Sequence, residues 1–299
     1  MLLMLLGLAF VAPLVVGLTG TARDGRRINE SARRPTAWDW RLSIGSTLLY
    51  AIAFNLVFLV QEICLVLPKA LTPGLHPTLY HNNHNWTGEN PIARLLQGSG
   101  ALAILVVGVL AIGVLAHRPP RGLTTRLLVI WIGFNGLFQS LPQVVAGAIV
   151  PRNDVGMAMD YLHLGWIAMI TTALAALVAM AVAGTWLAPQ LVEVASNRVQ
   201  LASYAQRMTV GLRVATLPAI AAIPVILLFR IPGPVDQVVM VPIAVTLIGV
   251  AWVQGTAWRA PNSPPRPARG RVAIRTPLAL LLVLLAIFQL MLRPGVSFG

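Results

Sequence analysis

The architecture of this chain follows from one stretch of its sequence, Leu42-Ser-Ile-Gly-Ser-Thr-Leu-Leu-Tyr-Ala-Ile-Ala-Phe-Asn55-Leu-Val-Phe-Leu-Val-Gln-Glu62-Ile-Cys-Leu-Val-Leu67. Its only charged residue is Glu62. A helix needs about 20 residues to cross a hydrocarbon core of about 30 Å, and a helix satisfies its own backbone hydrogen bonds in lipid. The stretch therefore predicts a transmembrane helix.

The whole chain has the same character, with 57% apolar and 10% charged residues. Soluble domains usually contain about 25% charged residues, so the composition excludes an ordinary soluble domain. We predict an all-α, polytopic transmembrane helix bundle with eight spans. The predicted spans are 1–19, 42–67, 96–116, 127–149, 164–188, 214–229, 238–256 and 277–292.

The net charge of +13 is unevenly distributed between alternate loops. One set of loops holds 17 of the 22 basic residues, and the positive-inside rule assigns that set to the cytoplasm. Both termini are then extracytoplasmic. The basic charge is explained by topology and by attraction to anionic lipid headgroups, so the expected partner is the lipid bilayer and not nucleic acid.

Composition also bears on the cellular setting. Arginine outnumbers lysine and alanine is abundant, which suggests a bacterial protein of the inner, or plasma, membrane. Cys64 is the only cysteine, so neither an intrachain disulfide nor a thiolate zinc cluster can form.

The chain divides into three parts by charge and polarity. Residues 1–41 combine the first span with a basic cytoplasmic loop, and residues 42–188 form a four-span core that contains most of the unusual polar residues. In the third part, 189–299, we expect an amphipathic helix on the membrane surface over 189–213, three apolar spans, and a Pro/Arg linker over 259–276.

A short polar segment follows the quoted span, Leu79-Tyr-His81-Asn-Asn-His84-Asn-Trp-Thr-Gly-Glu89-Asn-Pro91. In a helical conformation, His81 and His84 would be neighbours on one face. Two imidazoles at this spacing can share a metal ion. The other interpretation is a water-facing cap between two spans.

Polar side chains also occur inside the spans. Asn55 and Glu62 are seven residues apart and therefore share a helix face, and a carboxylate within a span tends to face the bundle interior. Asn135, Gln139 and Gln143 recur every four residues and predict one polar stripe. For this stripe, both interhelical hydrogen bonding and a substrate path remain open.

The loop after the fourth span adds more candidates. Asn153 or Asp154 could cap the following helix, and Asp160 could orient His163 three residues later. With Glu62 and the two histidines of the polar segment, these residues all lie at one face in the predicted topology. Carboxylates and imidazoles are the ligands preferred by zinc and several other divalent metals.

We therefore predict an extracytoplasmic site for zinc or another divalent metal. The predicted ligands are His81 and His84 with Asp154 or Asp160, and Glu62 is the predicted general base or a further ligand. His76 and His163 are predicted to orient these ligands without binding the metal themselves.

The features from 55 to 164 resemble the site-2-protease family of intramembrane zinc metalloproteases. That family carries a His-Glu-x-x-His motif in one span and, two spans later, an Asn/Pro-rich segment that ends in an Asp-Gly ligand motif. The position of the His-Glu-x-x-His motif is taken in this chain by Gln61-Glu62-Ile63-Cys64-Leu65, in which only the glutamate matches. The Asn/Pro-rich segment with its Asp-Gly motif is resembled by Asn135 to Pro142 followed by Asn153-Asp154-Val155-Gly156, with Asp154 as the matching carboxylate.

The resemblance implies a metal-dependent, hydrolase-like enzyme. A second hypothesis is a non-catalytic accessory subunit of a larger membrane complex, docked through the apolar second half of the chain. The third is a proton- or cation-coupled transporter that uses Asn55, Glu62 and the polar stripe. We rank it last because the stripe stops around Asn135, near mid-membrane.

Overall fold

The computed structural model describes residues 7, 11–20, 38–195, 201, 203–261 and 268–298. Short strands accompany the helices at one end of the bundle. In chain order the elements are α1 (Val11–Gly20), α2 (Trp40–Ala70), β1 (His76–Leu79), β2 (His84–Thr87), α3 (Ala93–His117), α4 (Leu123–Gly147), α5 (Asp154–Tyr161), α6 (Trp166–Glu193), α7 (Tyr204–Arg230), α8 (Val238–Arg259), α9 (Arg275–Leu292) and β3 (Val296–Ser297).

Seven of these helices are long and apolar enough to cross a membrane, namely α2, α3, α4, α6, α7, α8 and α9. They coincide with the second to eighth predicted spans, which confirms a helical bundle and indicates an integral membrane protein. The first predicted span, 1–19, falls partly on residues outside the described ranges. Its described part includes α1, which is shorter than the other seven.

Helix α2 lies at the centre of the described bundle and is the most buried of the seven long helices. Tyr50 on α2 packs edge-on against Trp131 of α4, with ring centroids 4.9 Å apart, and the Tyr50 hydroxyl lies 2.9 Å from Thr246 Oγ1 of α8. Trp131 Nε1 donates to Ser46 Oγ at 3.0 Å. An aromatic layer therefore closes the middle of the bundle, and its polar tips are satisfied as buried tyrosine and tryptophan require.

The crossing of α3 and α4 depends on two glycines that face each other. A Cβ at Gly136 would lie 2.6 Å from Gly108 Cα, and one at Gly108 would lie 2.9 Å from the backbone nitrogen of Leu137. Small residues allow helix backbones to approach closely in membranes, where dispersion contacts replace the hydrophobic effect as the main attraction between helices.

The polar segment between α2 and α3 is a β-hairpin, which the sequence did not predict. β1 and β2 pair antiparallel, with Leu79 opposite His84, and β3 adds to the other side of β1. The helical spacing considered for His81 and His84 is therefore wrong, because His84 lies in β2 and His81 lies in the turn. Outside this small sheet, the regular structure of the described residues is helical.

The structure also changes the boundaries expected around 189–213. Helix α6 continues to Glu193, and α7 already begins at Tyr204. Residues 196–200 and 202 lie outside the described residues, so a surface helix over 189–213 stays a prediction. In the expected linker over 259–276, residues 262–267 lie outside them, and Arg269 N donates to Arg121 O at 2.8 Å.

The glycine contact gives a test of the α3–α4 crossing. Gly108→Ala should lower the free energy of unfolding by about 1–3 kcal/mol, because the added methyl group meets backbone atoms that cannot move aside. Gly113→Ala on the same helix is the matched control, since nothing lies within 4 Å of its added Cβ, and it should be neutral or gain up to about 1 kcal/mol. Thermal unfolding in detergent measures both, and equal melting temperatures for the two variants would contradict the packing.

Candidate functional site

Four polar side chains meet where α2 ends beneath the hairpin. His84 Nδ1 lies 2.8 Å from Glu62 Oε2, and His84 Nε2 lies 2.9 Å from Gln97 Oε1. The same Gln97 oxygen accepts from Lys69 Nζ at 2.8 Å. We call Glu62, Lys69, His84 and Gln97 the hairpin-end cluster.

The cluster is enclosed. Glu62 is 4% exposed and Lys69 is fully buried, while the side chain of His84 is 7% exposed. Trp86 of β2 covers it, because its ring lies 4.9 Å from Lys69 Nζ and stacks on the His84 ring. Charged groups removed from water in this way need close partners, and each member of the cluster has one.

The hydrogen-bond pattern determines where protons must lie. Both ring nitrogens of His84 face oxygen atoms, whereas a neutral imidazole has one donor and one acceptor nitrogen. Either His84 is doubly protonated beside a carboxylate, or Glu62 carries a proton and donates it to Nδ1. In both cases the Glu62–His84 pair holds one proton more than a carboxylate and a neutral imidazole would.

The surroundings of His84 favour its protonated form overall. Burial, the strongest influence, lowers the pKa of His84, but the hydrogen bond and the negative charge of Glu62, with a contribution from Asp154, outweigh it and raise the pKa overall. Lys69 opposes this rise. The pKa of Asp154 is also raised, because burial disfavours its charged form more than the nearby His84 favours it.

The polar stripe of α4 joins α4 to α2. Gln143 Nε2 donates to Gln61 Oε1 at 2.8 Å, and Gln139 Nε2 donates to Phe54 O and to Asn135 Oδ1, both at 3.2 Å. These contacts favour interhelical hydrogen bonding over a substrate path. Asn55, also predicted to belong to a path, is fully buried and donates to Ala51 O of its own helix.

The structure brings together only part of the predicted site. Glu62 and His84 are in contact, and Asp154 is near enough for its charge to act on His84. Asn153 caps α5 by accepting from Gly156 N at 2.6 Å. Of the two capping residues considered, the cap is therefore Asn153.

The remaining candidates lie elsewhere. His81 is buried beside the backbone carbonyls of residues 230–232, although neither ring nitrogen makes a well-formed hydrogen bond to the described residues. Asp160 is exposed and pairs with Arg94 at 3.0 Å. His76 and His163 are exposed on the surface.

Among the described residues, no three His, Cys, Asp or Glu side chains are grouped closely enough to hold a metal ion. Both ring nitrogens of His84 are engaged, so this geometry does not make His84 a metal ligand. A site for zinc or another divalent metal built from His81, His84, Asp154 and Asp160 stays a prediction, and it would require these side chains to rearrange.

Sequence reasoning missed Lys69 and Gln97, which complete the cluster. Lys69 could have been noticed as a lone cation at the end of an apolar helix. It lies four residues after Leu65, whose backbone carbonyl its side chain can reach. Its amide partner could not be inferred, because Gln97 is 28 positions away and nothing in the sequence fixes the angle between α2 and α3.

The two hairpin histidines predict how stability depends on pH. A raised pKa at His84 stabilises the docked hairpin below the ordinary imidazole value of about 6.5, and this is lost as the pH rises through the raised value. The pKa of His81 is lowered, mainly by burial, so its contribution is present above about 6.5 and is lost as the pH falls.

Backbone hydrogen exchange across the hairpin, corrected for intrinsic rates, should therefore be slowest near pH 6.5 and several-fold faster on either side. His84→Gln should remove the acceleration of exchange above pH 6.5 and leave the acceleration below it. Amides in the middle of α4 serve as an internal control. A hairpin whose exchange protection does not change with pH would contradict the proton-holding pair.

No protein-family model matches this chain, and neither a curated protein nor a solved structure matches it. The resemblance to the site-2-protease family therefore stays a prediction that rests on Glu62 and on the Asn135–Gly156 segment.

Proposed function

We propose that this integral membrane protein performs acid–base chemistry, with Glu62 and His84 as its proton-transferring pair. In the topology that the positive-inside rule predicts, the hairpin end lies outside the cytoplasm. The β1–β2 hairpin covers the pair and would have to move to admit a substrate. The observation that carries the proposal is the enclosed contact of 2.8 Å between His84 Nδ1 and Glu62 Oε2.

This contact is suited to proton transfer for a physical reason. A general acid or base works best when its pKa lies near the working pH, and Glu62 raises the pKa of His84 from a starting value already close to neutrality. The carboxylate also orients the ring. The pair thus has the two properties that a proton-transferring group requires, a defined direction and a suitable pKa.

The packing of the bundle favours chemistry at one end over transport through it. A proton- or cation-coupled transporter needs polar groups along the whole depth of the membrane. On the side of Asn135 that faces away from the hairpin, the helices instead meet through Tyr50, Trp131 and Phe134, whose rings pack edge to face. We infer that the pair works from the hairpin end alone.

The apolar surface does not by itself indicate a partner. Helices α3, α6 and α9 are the least buried of the seven long helices, and their exposed side chains are mainly leucine, valine and isoleucine. A bilayer requires such a surface. An accessory-subunit role would therefore need a contact beyond these lipid-facing helices.

The proposal predicts a specific pattern of activity. With a panel of amphiphilic ester and amide substrates in mixed micelles, Glu62→Gln and His84→Gln should each lower hydrolysis by about 10²–10⁴-fold, the usual contribution of general acid–base catalysis. Asp160→Asn and His163→Gln are matched controls on the exposed surface and should retain activity within about twofold of the parent protein.

Two outcomes would contradict the proposal. One is hydrolysis by the wild-type protein that survives in His84→Gln. The other is stoichiometric metal, measured by plasma mass spectrometry, that disappears in a His81→Ala/His84→Ala variant, because His84 would then have to leave both of its partners. That second outcome would favour the metal-dependent hydrolase predicted from the sequence.

A further inference from the structure

Beside the proton-transferring pair, the hairpin-end cluster contains the Gln97 amide and one cation, Lys69. It lies in the last turn of α2 and is fully buried. Its Nζ donates to Leu65 O and to Gln97 Oε1, both at 2.8 Å. Burying an ammonium group costs several kcal/mol before its partners compensate, so the local structure has to provide a compensating contact, and Gln97 provides it.

The Gln97 amide is held between Lys69 and His84. An ammonium group has three donors and no acceptor, while an amide can present either an acceptor oxygen or a donor nitrogen. Turning the amide over would place its NH2 group against Lys69, donor against donor. Lys69 therefore fixes Gln97 Oε1 at the point where His84 Nε2 also reaches it.

We propose that Lys69 is a positioning residue that fixes the Gln97 amide, and that this orientation forces both ring nitrogens of His84 to donate. Neutral His84 with a bare Nε2 would place its lone pair against Gln97 Oε1. The Glu62–His84 pair avoids this repulsion by keeping its proton. The inference rests on the proposed function, since it explains what maintains the proton on the acid–base pair.

Through its positive charge alone, Lys69 would promote release of the proton from the Glu62–His84 pair instead of maintaining it. The ionisable groups that act on His84 are Glu62 and Lys69 from α2 and Asp154 from α5, and Arg230 from α7 acts on Glu62. Among them, the positive charge of Lys69 opposes protonation of His84. Removing Lys69 should therefore raise the pH of proton release if only charge matters, and lower it if amide orientation matters.

The test is nuclear magnetic resonance of the full-length protein in nanodiscs, with 15N-labelled histidine and 13C-labelled glutamate reporting the proton on either partner. In Lys69→Met the freed amide can turn over and donate to His84 Nε2, so the pair should release its proton about one pH unit lower, a tenfold change in the protonation equilibrium. Lys69→Arg retains a donor and should titrate like the parent protein.

Gln97→Leu supplies the matched background, because it leaves no amide to turn. There, Lys69→Met should raise the pH of release, so that the same substitution has opposite signs in the two backgrounds. Gln97→Leu alone should lower the pH of release, since His84 Nε2 loses its acceptor. This variant keeps the proposal testable if Lys69→Met does not fold.

The result that would overturn the proposal is a rise, or no change, on Lys69→Met in the parent background, or no change on Gln97→Leu. Failure of the proposed function is distinguishable from this. It would appear in the wild-type protein as an ionised Glu62 beside a neutral His84 from pH 5 to 8, with no proton on the pair for Lys69 to influence.

Discussion

The hydrogen bond between Glu62 and His84 is the interaction from which the rest of this end of the molecule follows. A carboxylate at the centre of a span costs about 2.5–3.5 kcal/mol on insertion scales, and the cost is smaller near the boundary. Glu62 sits close to the end of α2 and still is almost fully buried. It therefore needs a polar partner, and the chain after α2 folds back to supply one.

That requirement explains why a polar segment that looks like a loop becomes a hairpin. β1 and β2 bring His84 back over α2, and β3 pairs with the outer side of β1. Asn82 in the turn donates to Pro232 O at 2.9 Å, which ties the hairpin to the segment after α7. Contacts from distant parts of the chain thus hold one imidazole in place.

The sequence allowed the helices to be predicted because apolar length is a local property. The runs around 42–67 and 127–149 could be read without knowing their neighbours, and both are helices. The hairpin could not be predicted in the same way. Its strands are short, and β1 pairs on one side with Val296 and Ser297, more than 200 positions away. The sequence around the hairpin therefore does not contain one of the two strands that pair with β1.

The site shows the same division between local and distant information. Glu62 could be singled out as a lone carboxylate in an apolar span, and His84 by its place in the polar segment. Their contact depended on the turn at 80–83, which directs His81 and His84 to different surroundings. Spacing along the chain suggested that the two histidines act together, whereas the pleat and the turn of the hairpin separate them.

Membrane depth explains how the polar residues are sorted. In the middle of the bundle, Asn135 and Gln139 are uncharged amides that hydrogen-bond within the protein. The charged side chains of the described helices lie towards the ends of the bundle, with Glu62 and Lys69 at the hairpin end.

At the opposite end, Arg126 in the first turn of α4 pairs with Glu193 at the end of α6, at 3.2 Å. Each of these two charges is unfavourable to its own helix dipole, so the pair stabilises both helix ends at once. A proton that must come and go can be accommodated only where charge is tolerated, and the aromatic layer around Tyr50 and Trp131 separates the two charged ends. The depth profile therefore favours acid–base chemistry confined to the hairpin end.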